Sequence, residues 1–146
     1  MKLSTRSRYG VRLMLSLALN YGQGSVYLKD IAKSEEISEK YLGQIIISLR
    51  SAGLVISSRG VHGGYNLARE PSAISLKEII DVLEGGTCLV DCVKNPGACP
   101  RVSTCVSRDI WSVLGGKIAE TLTTITLDVL VRMKREKAEK SVMQYI

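Results

Sequence analysis

The strongest constraint on the fold is the order of two short helical patterns and two β-rich runs between residues 26 and 68. The spacing of one helix face recurs in both helical segments, first at Leu28, Ile31 and Ala32, and then at Leu42, Ile45, Ile46 and Leu49. Ser38 is placed to cap the second helix, and Gly53 to end it. The runs 54–58 and 65–68 flank a turn with three glycines and therefore predict a β-hairpin.

A mostly buried first helix is expected over 4–20, where apolar residues dominate. With Ile37 filling the corner between the next two helices, the pattern predicts a helix-turn-helix followed by a hairpin. An ordinary helical hairpin is the alternative for the two helices alone. The hairpin favours a mainly α winged helix-turn-helix fold with a β-hairpin wing.

Charge is unevenly distributed along the 146 residues. Residues 1–70 carry ten Lys/Arg against five Asp/Glu, and residues 71–146 carry ten against nine, so the first half holds nearly all of the +6 excess. A basic half indicates a polyanionic partner, because neutralised phosphates release counterions. A protein with a high pI and no such partner is the alternative from composition alone.

The candidate base-reading face is the N-terminal part of the second of these short helices, at Ser38, Glu39, Lys40, Tyr41, Gly43 and Gln44. Glutamine can bond adenine in a bidentate way, and Ser and Lys can bond bases or phosphates. Arg59 at the tip of the wing can enter the minor groove. Arg6 and Arg8 add positive charge, and His62 is expected to be a turn residue near phosphate and not a metal ligand. We therefore expect contact with double-stranded DNA.

The apolar run at 13–19 follows a basic start, but it is too short to span a bilayer and lacks a signal-peptide cleavage pattern. We therefore expect a cytoplasmic protein without membrane contact. Thiols stay reduced in that compartment, so clustered cysteines favour a metal site or a redox sensor over structural disulfides.

All four cysteines lie between residues 88 and 105, after a capping box formed by Ser75 and Glu78 and a short helix. They are separated by three, six and five residues, and none forms a C-x-x-C pair. Structural zinc usually uses such close pairs. Wider spacing favours an iron-sulfur cluster, and thiol chemistry near Arg101 and Arg108 is a third possibility.

A long apolar stripe follows the cysteines, at Trp111, Leu114, Ile118, Leu122, Ile125, Val129 and Met133. Its spacing predicts one helix, and its length exceeds what a small domain can cover, so we expect it to pair with a second copy in a homodimer. The expected organisation is a winged-helix domain over 1–70, a connecting helix and cysteine loop over 71–106, a dimerisation helix over 107–138 and a fraying tail over 139–146. A two-fold dimer matches a two-fold DNA operator.

Motifs along nearly the whole chain resemble one family. The start "MKLSTRSRYGVRLMLSLAL", the segments "ISEKYLGQIIISLRSAGLV", "SRGVHGGYNLA" and "SLKEIIDVLEG", and "CVSRDIW" after the loop are similar to those of IscR-type regulators, which are Rrf-type winged-helix transcription factors. The resemblance implies a transcriptional regulator with an iron-sulfur cluster, of the 2Fe-2S type, whose targets include genes for cluster assembly. It also matches Gln44 and Arg59 to the family's DNA contacts, whereas Gly43 replaces a base-reading glutamate.

The resemblance implies that Cys92, Cys99 and Cys105 hold the cluster. The first gap is one residue longer than in IscR-type proteins, and their ligand histidine corresponds to Arg108, which is not a ligand because it stays protonated. The fourth ligand is therefore open among Cys88, Asp91, Asp109 and a residue of the partner chain. Related nitric-oxide sensors use an N-terminal aspartate where this chain has Arg8.

Two alternatives remain at this stage: a winged-helix regulator that uses thiols or zinc without a cluster, and a small electron-transfer iron-sulfur protein. An enzyme is not expected, because the chain offers a single histidine, no paired nucleophile and base, and no phosphate loop.

Overall fold

The computed structural model describes residues 2–146 and is mainly helical. Over these residues the elements in chain order are α1 (Thr5–Leu19), α2 (Leu28–Glu35), α3 (Glu39–Ser51), β1 (Val55–Ser58), β2 (Gly64–Leu67), α4 (Leu76–Glu84), α5 (Asp91–Lys94), α6 (Val106–Thr124) and α7 (Leu127–Met143). Short 3₁₀ turns at Pro71–Ala73 and Pro96–Ala98 precede α4 and follow α5. The predicted winged helix-turn-helix is confirmed.

Local sequence signals set both ends of α3 where they were expected. The Ser38 hydroxyl accepts a hydrogen bond from the Tyr41 N–H at 3.3 Å and so caps α3. Gly53 follows α3 with a φ of +75°, a conformation that glycine adopts without steric cost. Ile37 is buried between α2 and α3, as predicted.

The wing is an antiparallel hairpin in which Val55 pairs with Leu67 and Ser58 with Gly64. A third backbone segment joins it, because Val26 and Tyr65 exchange N–H···O bonds of 3.0 and 2.8 Å. The hairpin is therefore attached to the residues that lead into α2.

The core is aliphatic, as expected of a chain without Phe. It gathers buried side chains from α1 to α4, both strands and the start of α7, among them Leu13, Met14, Leu17, Ile31, Leu42, Ile45, Leu49, Leu67, Ile79 and Leu127. Each fully buried side chain of this kind stabilises the fold by about 1.5–3 kcal/mol relative to exposure. The same core therefore supports the winged helix and anchors α4 and α7 to it.

The connecting helix α4 begins with the predicted capping box. The Ser75 hydroxyl accepts from the Glu78 N–H at 3.2 Å, and the Glu78 carboxylate accepts from the Ser75 N–H at 2.9 Å. Arg69 also donates to Glu78, at 2.7 Å. These bonds fix where the chain leaves the wing and enters α4.

The prediction of one continuous helix over 107–138 is wrong, although a long C-terminal helix is present. The chain is extended at Ile125 and Thr126, and these residues separate α6 from α7. The Ile125 carbonyl accepts from the Leu76 N–H at 2.7 Å, and the Leu127 N–H donates to the Ile74 carbonyl at 3.0 Å. Pairing with the backbone ahead of α4 interrupts the helix and lets α7 return to the core.

The tail also differs from expectation, since α7 continues to Met143 and only the last residues are not helical. All residues from 132 to 146 are exposed. Within residues 2–146, no helix is both long and apolar enough to cross a membrane.

Candidate functional site

The N-terminal end of α3 presents the predicted base-reading side chains at the surface. Ser38, Lys40 and Gln44 are exposed, and the last two lie four residues apart on one face of the helix. Tyr41 is half-buried, with its ring edge-on to Tyr9 at a centroid distance of 5.9 Å. The tyrosine pair joins this end of α3 to α1.

The two arginines of α1 have different surroundings. Arg8 is exposed, whereas Arg6 is half-buried and donates from Nη2 to the Ser48 hydroxyl in α3. The Nε atom of Arg6 is buried and has no hydrogen-bond partner within residues 2–146. Arg6 thus links α1 to α3, while Arg8 is open to a partner.

The tip of the wing exposes Arg59 and His62. Gly60 has a φ of +98°, and the Gly63 N–H donates to its carbonyl at 3.0 Å. A Cβ on Gly63 would lie 2.7 Å from the Ser58 carbonyl oxygen, so this tight turn requires glycine. We call the N-cap residue Ser38 and residues 39–44 of α3, together with Arg8, Arg59 and His62, the reading face.

One residue that positions the wing was missed at the sequence level. The Tyr27 hydroxyl donates to the Val61 carbonyl at 2.6 Å and ties the wing tip to the start of α2. Lys29 lies over the Tyr27 ring at 5.4 Å. No local pattern around Tyr27 indicates a contact with a residue 34 positions later.

The cysteine segment, residues 85–105, connects α4 to α6. Its cysteines are all free: Cys88 is exposed, and Cys92, Cys99 and Cys105 are half-buried. Cys92 lies in α5, Cys99 follows a 3₁₀ turn, and Cys105 is the N-cap residue of α6. The three cysteines implied as ligands therefore come from three different local structures.

Few hydrogen bonds attach the cysteine segment to the helices around it. The Arg108 Nε–H of α6 donates to the Cys92 carbonyl at 3.1 Å. Within the segment, Lys94 donates to the Gly85 carbonyl at 3.1 Å. Arg108 therefore connects α6 to α5 through the backbone. This contact gives Arg108 a structural role.

The structure does not bring the candidate ligands together. In the part of the chain that it describes, no three side chains of Cys, His, Asp or Glu lie close enough to share a metal ion. Asp91 and Asp109, two candidates for the fourth ligand, are exposed, and the Cys88 thiol donates to the Val90 carbonyl at 3.3 Å.

Comparison with known proteins identifies the family. The Rrf2 family, described as "Iron-dependent Transcriptional regulator", matches residues 3–133. The chain belongs to the Rrf2 family. The resemblance to IscR-type regulators is thereby confirmed at the level of this family.

Several Rrf2 relatives cover nearly the whole chain. Protein rrf2 of Nitratidesulfovibrio vulgaris is 40% identical over 132 residues, which are 90% of this chain and 88% of that protein. The solved structure of CymR, the global cysteine regulator of B. subtilis, superposes with a TM-score of 0.77 at 39% identity and covers 91% of this chain and 98% of its own. T. potens IscR also has a TM-score of 0.77, at 41% identity, and covers 94% of this chain and 90% of its own.

These relationships establish a DNA-binding transcriptional regulator of the Rrf2 family. Its homologues are regulators and not enzymes, in agreement with the sequence prediction. IscR-type and CymR-type proteins are equally similar to this chain.

Proposed function

We propose that this protein is a homodimeric regulator that binds a two-fold DNA operator through its reading face and senses iron-sulfur cluster status through its cysteine segment. The observation that carries the proposal is the position of four free cysteines in one segment between α4, which packs on the winged helix, and α6. A change in this segment acts directly on both neighbouring helices.

The surface of the winged helix supports contact with DNA. Lys40 and Gln44 of α3 and Arg59 and His62 of the wing are exposed, and Arg8 adds a further cation. In this arrangement α3 enters the major groove and Arg59 reaches the adjacent minor groove. Arg6 contributes by positioning α1 against α3, since Ser48 already binds its guanidinium.

The donor set of the cysteine segment fits an iron-sulfur cluster in kind, since such clusters are held by cysteine thiolates. Cys92, Cys99 and Cys105 would hold it, with Cys88, Asp91, Asp109 or a residue of the partner chain as the fourth ligand. A bound 2Fe-2S cluster would supply a cross-link among its ligands and an electron-accepting centre. Because the thiols are apart, ligation requires the segment to rearrange.

The homodimer is supported by the surface of α6. None of its 19 residues is buried, and an open groove of about 430 Å³ on its surface is lined by four apolar side chains together with Asp109 and Lys117. We call Val106, Ile110, Val113 and Leu114 the α6 apolar face; Val106, Ile110 and Val113 are 72%, 57% and 67% exposed. A contiguous apolar surface of this kind is typical of a protein interface.

Targets and compartment follow from the same proposal. By similarity to IscR-type proteins, we assign the protein to control of cluster-assembly genes in the cytoplasm. Cluster occupancy then reports supply against demand and changes how the two winged helices are presented to DNA.

A second candidate function uses the same segment without a cluster. The equal similarity to CymR, a cysteine regulator, favours it, as do four free thiols in one segment. In that case thiol oxidation or zinc binding by the cysteines would change operator affinity.

The deciding experiment is purification without oxygen, followed by a visible spectrum and by iron, sulfide and zinc analysis per chain. Equal iron and sulfide with absorbance between about 320 and 460 nm would support the cluster. A colourless protein free of iron would overturn it in favour of thiol or zinc chemistry. Cys92→Ala, Cys99→Ala and Cys105→Ala should each abolish bound iron, with the wild-type protein purified in parallel.

DNA binding is tested on a site selected from a randomised DNA pool, hereafter the selected site. Arg59→Ala should weaken binding without changing stability or iron content, because the side chain is exposed and lies outside the core. Lys137→Ala, a change of an exposed cation in α7, is the control. Unchanged affinity of Arg59→Ala would remove the wing from the reading face.

A further inference from the structure

The last residue of α4 contacts the beginning of α1. The Ser4 N–H and the Ser4 hydroxyl both donate to Glu84 Oε1, at 2.8 and 2.7 Å. The same hydroxyl accepts from the Ser7 N–H at 3.1 Å and so caps α1. A carboxylate eighty positions away therefore completes the N-cap of α1 through hydrogen bonds that its charge strengthens.

The carboxylate is charged at neutral pH. The hydroxyl groups of Ser7 and Ser4, together with the Ser4 N–H, hold the pKa of Glu84 below its usual value. Its negative charge lies at the positive end of the α1 dipole, but at the unfavourable C-terminal end of α4. This placement is explained by the contact with α1 and not by the stability of α4.

The helices α1 and α4 are in close contact at their crossing. A Cβ on Gly10 of α1 would lie 2.1 Å from Leu83 Cδ1 and 3.5 Å from Ile45 Cγ2 of α3. One turn earlier in α1, Arg6 donates to the Ser48 hydroxyl of α3. Displacement of the end of α4 therefore reaches α1 and, through it, the helix that carries the reading face.

The residues that follow Glu84 in the chain begin the cysteine segment. Gly85 and Gly86 follow with φ values of +79° and +123°. Glu84 and Cys88 line one cavity of about 410 Å³ together with Lys2 and Leu3 at the start of the chain. Rearrangement of the segment around Cys88 thus takes place beside the Ser4–Glu84 contact.

We propose that Glu84 is a positioning residue that transmits the state of the cysteine segment to the reading face through Ser4. The inference rests on the proposed function, because it names the route by which the segment regulates DNA binding. In one state of the segment the carboxylate completes the α1 cap. In the other it is withdrawn, and the first turn of α1, which contains Arg6 and Arg8, loses that support.

The test compares operator affinity of the full chain in two states, with its thiols free and with its thiols alkylated by iodoacetamide. Binding to the selected site is measured by fluorescence anisotropy for the wild type, Glu84→Ala, Glu84→Gln and the control Glu120→Ala. Glu120 is an exposed carboxylate of α6 paired with Lys117. Iron and sulfide are assayed separately on protein that has not been alkylated.

Alkylation should change the affinity of the wild type and of Glu120→Ala by at least about fivefold. For Glu84→Ala, the ratio of the affinity with free thiols to the affinity with alkylated thiols should lie within about twofold of unity, because the coupling is lost. Glu84→Gln keeps an acceptor oxygen and should retain most of the ratio, which separates hydrogen bonding from charge alone. A merely structural role would lower both affinities and leave their ratio unchanged.

The inference would be overturned if Glu84→Ala kept the affinity ratio of the wild type, or if alkylation did not change the affinity of the wild type. If Glu84→Ala does not fold, Ser4→Ala provides the second test. It removes the hydroxyl bond to Glu84 together with the acceptor of the Ser7 N–H. The ratio should still fall, and an unchanged ratio would overturn the inference. Wild-type protein without iron and sulfide would contradict the cluster proposal, while the affinity ratio would still decide the role of Glu84.

Discussion

At the residue scale, the wing depends on a glycine that no other residue can replace without strain. Gly64 has a φ of +140°, and a Cβ there would lie 2.6 Å from the Val26 carbonyl oxygen. The obstacle is backbone that is itself bonded to Tyr65, so it cannot move without breaking the Val26–Tyr65 pair.

Gly64→Ala should therefore destabilise the protein by about 1–3 kcal/mol, measured by urea unfolding. Gly43→Ala is the matched control, because Gly43 is helical and a Cβ there meets only Leu28 Cδ2, at 3.9 Å. The control should be more stable than the wild type by about 0.5–1 kcal/mol, because alanine favours a helix over glycine. Equal unfolding midpoints for Gly64→Ala and the wild type would contradict the strained contact.

Glu78 makes the stability of the fold depend on pH in the acid range. Partial burial raises its pKa, but hydrogen bonds from Arg69 and Ser75 outweigh burial and hold the pKa below the ordinary value of 4.5. Because the folded pKa is depressed, the stabilisation is present above pH 4.5 and is lost as the pH falls through the lower, folded value.

Glu78→Gln should flatten this acid dependence, because the amide keeps an acceptor for the capping box but does not titrate. Thermal unfolding between pH 7 and pH 3 measures the effect, with Glu136→Gln on the exposed face of α7 as the control. The difference in unfolding temperature between wild type and Glu78→Gln should shrink as the pH falls. A constant difference over this range would exclude Glu78 as the titrating group.

At the scale of elements, the wing is held by its attachment to the start of α2. The Val26–Tyr65 backbone pair holds β2 close to the turn, and the Tyr27 hydroxyl holds the tip through the Val61 carbonyl. A two-stranded hairpin alone is marginally stable in water. These contacts therefore decide where Arg59 and His62 lie relative to α3.

Tyr27→Phe should loosen the wing tip without unfolding the domain. Loss of one hydrogen bond of about 1 kcal/mol corresponds to about fivefold faster amide exchange around residues 59–63. Hydrogen-exchange mass spectrometry measures this, with Tyr21→Phe, at an exposed tyrosine outside the wing, as the control. Unchanged exchange in Tyr27→Phe would mean that the strand pairing alone positions the tip.

At the scale of the whole molecule, one chain leaves the α6 apolar face uncovered. The core is formed by α1 to α4, the strands and the start of α7, and α6 contributes no buried residue to it. A second copy that covers the α6 apolar face would stabilise the dimer by about 25 cal/mol for each Å² of apolar surface removed from water. It would also place two reading faces on one operator.

If the proposed dimer forms through the α6 apolar face, Ile110→Glu should make the protein monomeric, because it places a charge in the centre of that face. Light scattering gives the mass in solution, and binding to the selected site should weaken in parallel. Ser112→Glu, an exposed position on the opposite side of α6, should remain dimeric. A dimeric Ile110→Glu protein would place the interface elsewhere.

Much of this molecule was determined by local sequence signals. The 3.6-residue apolar period, Ser38 and Ser75 as caps, and the glycines of the wing predicted α1 to α4 and the hairpin, because each signal acts on neighbouring residues. The family was also evident from motifs along the chain. These features required no knowledge of distant contacts.

Tertiary structure alone decided the features that join distant residues. The stripe from Trp111 to Met133 was continuous in sequence, but backbone pairing of Ile125 and Leu127 with residues 74–76 divides it into two helices. The bonds from Arg6 to Ser48, from Tyr27 to Val61 and from Ser4 to Glu84 likewise join residues 34 to 80 positions apart. Periodicity and capping describe a chain over a few residues, whereas the partner of an exposed hydroxyl or carboxylate depends on which helices the shared core brings together.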